Sequence, residues 1–64
     1  MGKIRRGGYV FLTWKGDHSP RYVHVYRDGK FVVKWDLEHG LPMKGKASGR
    51  LQEMIVALDR EGRL

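Results

Sequence analysis

The sequence predicts an α+β domain: a three-stranded antiparallel meander (βββ) with one C-terminal helix packed on one face. Three observations carry this. Asp28-Gly29 sits between two runs of β-branched and aromatic residues, Arg21–Arg27 and Lys30–Asp36, the strongest short-range hairpin signal. Tyr9–Trp14 (YVFLTW) has the composition of a strand. Leu51, Met54, Ile55 and Leu58 recur at i, i+3, i+4 and i+7, the apolar stripe of an amphipathic helix.

Taken in order, residues 1–8 (MGKIRRGG) read as a basic arm, mobile as termini usually are, that could touch phosphates through Arg5 and Arg6. Residues 9–64 read as the single βββα domain. In the first strand, Tyr9, Phe11 and Thr13 point one way and Val10, Leu12 and Trp14 the other. Lys15–Pro20 is a loop of turn formers. The hairpin Arg21–Asp36 follows, then a second loop, Leu37–Lys46, punctuated by Gly40, Pro42 and Gly45. Ser48 is placed to cap the helix, and Gly62 to stop it. A helix of about 14 residues runs about 21 Å, against about 23 Å for a seven-residue strand, so one helix can cover one sheet face.

A two-residue turn at Asp28-Gly29 sets the expected register. Tyr26 faces Phe31, Val25 faces Val32, and the pairing continues to Arg21 opposite Asp36. One face then holds Tyr22, His24, Tyr26, Phe31, Val33 and Trp35. The other holds Val23, Val25 and Val32, framed by charge. Burying four or five large rings, at about 25 cal/mol per Å², would be the largest stabilising term, so the helix is expected on the aromatic face. Val23, Val25 and Val32, with Val10, Leu12 and Trp14 beside them, would stay open as a partner interface or a homodimer seam.

The bulk numbers narrow the function. A chain of 64 residues makes one domain, which buries only about 60% of its unfolded surface. It has no cysteine, so neither disulfides nor thiolate metal sites are available. No apolar run approaches the roughly 18 residues of a membrane span. The basic-then-apolar start has an apolar part too short for a signal peptide and no small-residue cleavage site. The expected compartment is cytoplasmic. The net charge of +6 points to an anionic partner, nucleic acid or an acidic protein.

Candidate chemistry concentrates in a few places. Asp17 and His18 share the first loop with Ser19, and a histidine beside a carboxylate can serve as an acid or base near neutral pH. His24 lies in mid-strand. With His39 there are three histidines, but no HxH or HExxH spacing, so no metal and no cofactor is expected. Lys44, Lys46 and Arg50 surround the predicted helix start, a suitable place for phosphate. Gly45-Lys46-Ala47-Ser48-Gly49 lacks the spacing of a P-loop.

Gly16 to Tyr26 (GDHSPRYVHVY) resembles a small prokaryotic domain-of-unknown-function family that carries a DHxPPHxHV segment. Asp17, His18, Pro20, His24 and Val25 fall on its positions; Arg21 stands where the family has its second proline and Tyr22 where it has its first strand histidine. The resemblance runs from Tyr9 to Glu61. It implies a component of a toxin–antitoxin-like pair: a small cognate protein partner, and a nucleic-acid target, RNA before DNA. Lys15-Gly16-Asp17-His18 and the Leu51–Leu58 helix are also similar to the HicA-type messenger-RNA interferase toxins, although their leading helix has no counterpart here. That similarity implies a metal-independent RNase with His18 as acid or base; Asp17, its neighbour, and His24, which the loop could bring close by folding back over the second strand, are the other catalytic candidates. A purely structural interaction domain is the third expectation.

Overall fold

The computed structural model of the chain describes residues 2–13 and 21–64. Five strands form one antiparallel sheet: β1 Gly2–Arg6, β2 Tyr9–Thr13, β3 Tyr22–Arg27, β4 Lys30–Asp36 and β5 Leu41–Gly45. They lie in chain order, β1-β2-β3-β4-β5. The helix α1, Gly49–Arg60, closes the chain. The α+β class and the C-terminal helix are as expected, but the sheet has five strands rather than three.

Both additional strands come from segments expected to be irregular. Gly2–Arg6 is an edge strand paired to β2 from Gly2↔Thr13 to Arg6↔Tyr9, not a mobile arm. The connection is Gly7-Gly8, with φ of 59° and 82°, the same doubly positive two-residue turn that Asp28 and Gly29 form at 53° and 74°. Gly7 serves packing as well: a Cβ there would lie 2.6 Å from the Met54 methyl of α1. Leu41–Gly45 is the opposite edge, paired with β4. Pro42 has no N–H to donate, which suits it to an edge strand. The four-residue link before β5 is held by Asp36, whose carboxylate accepts from the N–H groups of Glu38 (2.9 Å) and His39 (3.0 Å) and from His39 Nδ1 (2.7 Å).

A bulge in β4 decides which face the helix covers. The register starts as expected, with Arg27↔Lys30 and Tyr26↔Phe31. It then slips by one residue, so that Val25 pairs with Val33, His24 with Lys34 and Val23 with Trp35. Because strand side chains alternate, a one-residue slip moves everything beyond it to the other face. Val33 and Trp35 therefore join Val23 and Val25, and Phe11 meets them from β2 opposite Val25. Gly45 makes room for this. It pairs with Val33 at φ 82°, and a Cβ there would collide with the Val32 carbonyl oxygen.

The helix packs on this aliphatic face, not on the aromatic one. Leu51, Ile55 and Leu58 bury with Phe11, Val23, Val25, Val33 and Trp35 to form the core, and Val32 and Met54 pack against it. Each fully buried side chain of this size contributes about 1.5–3 kcal/mol relative to exposure. The other face is studded with lysine, arginine and polar-tipped rings, whose burial would cost hydrogen bonds to water. The covered face, whose only buried ring with a polar atom is Trp35, is thus the cheaper one to cover.

The helix ends are well defined. Ser48 Oγ accepts from the Leu51 N–H at 3.2 Å. At the far end Gly62 N donates to Asp59 O and Arg63 N to Leu58 O, both at 3.0 Å, a Schellman closure. Arg6 clamps that end to β1 through a two-pronged pair with Glu61 at 2.8 and 3.0 Å. Arg21 Nη2 donates to the Leu64 carbonyl at 2.7 Å and approaches Asp59 at 3.4 Å.

Candidate functional site

The face of the sheet turned away from α1 follows directly from the register. One row across it reads Lys3, Leu12, His24, Lys34, Lys44. The next reads Arg5, Val10, Tyr26, Phe31. Tyr22 lies one alternation further along β3. Polar-tipped and charged side chains occupy alternate positions on β1, β3 and β4 because Val23, Val25, Val33 and Trp35 take the positions between them.

Four rings meet edge to face at the centre. Tyr22 lies 5.3 Å from His24, His24 lies 6.3 Å from Phe31, and Phe31 lies 5.8 Å from Tyr26, between ring centroids. The interplanar angles are 85°, 61° and 78°, so no ring lies flat on its neighbour. Phe31 is 41% exposed, an unusual position for a side chain that is all hydrocarbon. Lys34 Nζ sits 4.4 Å from the Tyr22 ring centroid, a cation–π contact.

The electrostatics of the two sides differ. On the helix side Arg6 and Arg63 pair with Glu61, and Arg21 with Asp59. Glu61 holds the Arg6 guanidinium above its ordinary value, and Arg6 in turn holds the Glu61 carboxylate below its own. On the open face, among the described residues, no carboxylate comes within ion-pair distance of Lys3, Arg5, Lys34 or Lys44. Lys34 and Lys44 are direct cross-strand partners, a like-charge placement that costs stability in an isolated sheet. Partial burial, and then the Lys34 charge, push the His24 imidazole below the ordinary histidine value.

The residues singled out from the sequence scatter across this frame. Arg5 and Lys44 lie on the open face. Arg6 does not; it is the clamp on Glu61. Lys46 lies in the connection to α1 and Arg50 in the first turn of α1, both exposed. Val23 and Val25, expected to form an open interface with Val32, are completely buried under the helix, and Val32 packs against the same core. The strip cannot serve as a partner surface or as the seam of a sheet-on-sheet homodimer, because α1 already occupies it. His24 is part of the ring cluster. Asp17 and His18 lie outside the described residues, as does Trp14. Among the described residues no group of three or more His, Asp or Glu side chains converges as metal ligands, and no helix is long and apolar enough to cross a membrane.

Lys3, Lys34, Tyr22, Tyr26 and Phe31 belong to the site but are not reached by sequence reasoning, which assigns the rings to the core. A usable signal exists: in Tyr22-Val23-His24-Val25-Tyr26 the aromatic positions carry polar atoms and the alternate positions do not. A groove of about 770 Å³ between α1 and the β4–β5 link is lined by Trp35, Leu37, Val56, Glu53 and Asp59 among others. No protein-family model, curated protein or solved structure matches the chain.

Proposed function

We propose that this chain is a small basic binding module that engages nucleic acid through the open face of its sheet. One observation carries the reading. A cluster of rings is left uncovered by the helix and is bordered by Lys3 and Arg5 on one side and Lys34 and Lys44 on the other, with no carboxylate partner among the described residues. Basic side chains interleaved with aromatic ones supply both phosphate attraction and stacking surface. The like-charge Lys34–Lys44 pair, unfavourable in the free protein, becomes favourable when a polyanion lies across it. RNA is the expected target ahead of DNA, in the cytoplasm and as one member of a toxin–antitoxin-like pair with a small cognate protein. The cognate partner and the nucleic-acid target are what the family resemblance of the Asp17–Val25 segment implies.

The test is the salt dependence of binding to a mixed-sequence RNA. Neutralising about four phosphates gives a slope of log affinity against log salt of about −3. Replacing Lys34 by Ala lowers the slope by a little under one. A slope near zero, or binding confined to uncharged ligands, refutes the reading. Co-purification of the native protein with its associated proteins and nucleic acid tests the pairing separately.

A further inference from the structure

We propose that the outer side of α1 is a self-complementary surface on which a second copy of this chain docks, helix antiparallel to helix. This surface is separate from the open face of the sheet, and its role does not depend on the nucleic-acid reading. A groove runs beside α1. One wall is the helix stripe of Gln52, Glu53, Val56, Ala57 and Arg60, and the other includes Trp35 and Leu37. Val56, in the middle of the stripe, is 46% exposed. An exposed hydrocarbon side chain beside an apolar groove and between opposite charges is the pattern of an interface.

The charges of this stripe differ from the others on the helix. Asp59 is paired with Arg21, and Glu61 with Arg6 and Arg63. Glu53 and Arg60 are exposed and have no ion pair among the described residues. They do not reach each other, being two turns apart, about 10.5 Å along the axis. Val56 and Ala57 take the i+3 and i+4 positions of Glu53 and the i−4 and i−3 positions of Arg60, the places where a helical ion-pair partner would stand.

Along the helix the stripe therefore runs acid, apolar, base. Turned end for end it runs base, apolar, acid, which is its own complement. With a two-fold axis between Val56 and Ala57, Glu53 falls opposite the partner's Arg60 and Arg60 opposite the partner's Glu53. Val56 meets the partner's Ala57, whose small side chain suits the 8–10 Å or so between packed helix axes. Each contact occurs twice, as an isologous interface requires. Other occupants match less well. A polyanion meets Glu53 and Asp59 in the groove, and a basic peptide meets Arg60. A dimer through the open faces would set Lys3, Arg5, Lys34 and Lys44 against their own copies. The helix has 12 residues, a length of about 18 Å. A contact of that length belongs to the small, reversible class of interface rather than the obligate one. It leaves the open face of both copies uncovered.

The experiment is sedimentation-velocity ultracentrifugation of the protein alone, from about 1 µM to about 1 mM. The salt is about 0.15 M, which screens repulsion between the +6 chains beyond about 8 Å. Wild type is compared with Glu53→Arg, Arg60→Glu, the double exchange of both, and Val56→Lys. Wild type should pass from monomer to dimer across the series. Each single reversal turns two attractions into two repulsions and should weaken the dimer about tenfold or more. The double exchange only swaps the ends of the stripe and should restore it. Val56→Lys sets like charges beside the axis and should abolish the dimer, and lysine is a good helix former at an exposed position, so its circular dichroism should match wild type. A wild-type monomer over the whole range overturns the proposal, leaving the groove to a different occupant. A dimer that survives Val56→Lys, or one that the double exchange fails to restore, overturns it equally. With no nucleic acid present, none of these outcomes bears on the open face.

Discussion

The two faces of the sheet draw on the same three central strands yet have opposite chemistry. The covered face presents Phe11, Val23, Val25, Val33 and Trp35, all almost inaccessible beneath Leu51, Ile55 and Leu58. The open face presents Tyr22, His24, Tyr26 and Phe31 among lysines and an arginine. Arg6, Arg21 and Arg63 on the helix side pair with Glu61 and Asp59, while Lys3, Arg5, Lys34 and Lys44 on the open side have no carboxylate within ion-pair distance among the described residues. The difference teaches that ring content alone does not decide what becomes core in a small domain. Tyrosine and histidine retain polar atoms that need partners, so the face whose only buried polar-tipped ring is Trp35 is covered and the face of Tyr22, His24 and Tyr26 is left open.

The comparison breaks most visibly in the core. Leu58→Ala or Ile55→Ala should cost about 2–5 kcal/mol, enough to unfold much of a domain this small; urea denaturation followed by tryptophan fluorescence measures it. The next effect concerns the bulge that separates the faces. Gly45→Ala adds backbone strain at φ 82° to a clash with the Val32 carbonyl, and should cost about 2 kcal/mol or more. Gly29→Ala has similar strain at φ 74° but open space around it, and should cost only about 1 kcal/mol. The gap between the two isolates the contribution of the close strand approach.

Acid sharpens the contrast in two stages. The folded state holds His24 below its unfolded value of 6.5 through burial and Lys34. The unfolded chain therefore binds that proton first. Stability is unaffected above this range and declines as pH falls below it. His24→Phe should flatten that first decline. Burial alone would raise Asp36, but the N–H groups of His39 and Glu38 and the His39 ring outweigh it, so its folded value lies below 3.8. Its contribution is complete above 3.8 and is lost as pH falls through the lower folded value. Asp36→Asn should remove this second stage; melting temperature against pH reads both. The smallest change is expected on the open face: Phe31→Ala should shift stability by about 1 kcal/mol or less, and on the proposed function it should weaken oligonucleotide binding. If Phe31→Ala destabilises as much as Leu58→Ala, the faces have been assigned in reverse.

Much of this fold is legible in the residues. The Asp28-Gly29 bend, the Tyr26–Phe31 pairing, the Ser48 cap and the Leu51–Leu58 stripe all appear where local chemistry puts them, because each depends on a few neighbouring side chains. Gly7-Gly8 carries the same kind of turn signal, but the charge of Lys3, Arg5 and Arg6 beside it masks the edge strand. The β4 slip is harder to see because it depends on a partner 12 residues later in the chain, where Gly45 accommodates Val32 and Val33. A hint lies in Phe31-Val32-Val33, three apolar residues in succession where strict alternation would place two. Another lies in Val33-Lys34-Trp35, which matches the Val23-His24-Val25 alternation only after a one-residue shift. Missing that shift inverts the faces, and with them core, interface and site. Arg5 and Lys44 are legible as candidates from charge alone, whereas Lys3 and Lys34 join them only when the register puts Lys3 and Lys34 in one row.

The most direct test of this sorting is a two-dimensional amide and aromatic NMR titration with a short single-stranded oligonucleotide. The account predicts shifts concentrated at Lys3, Arg5, Leu12, His24, Tyr26, Phe31 and Lys34, with the outer face of α1 at Gln52 and Val56 unmoved. Shifts centred on α1 and its groove, with the rings of β3 and β4 silent, would contradict it.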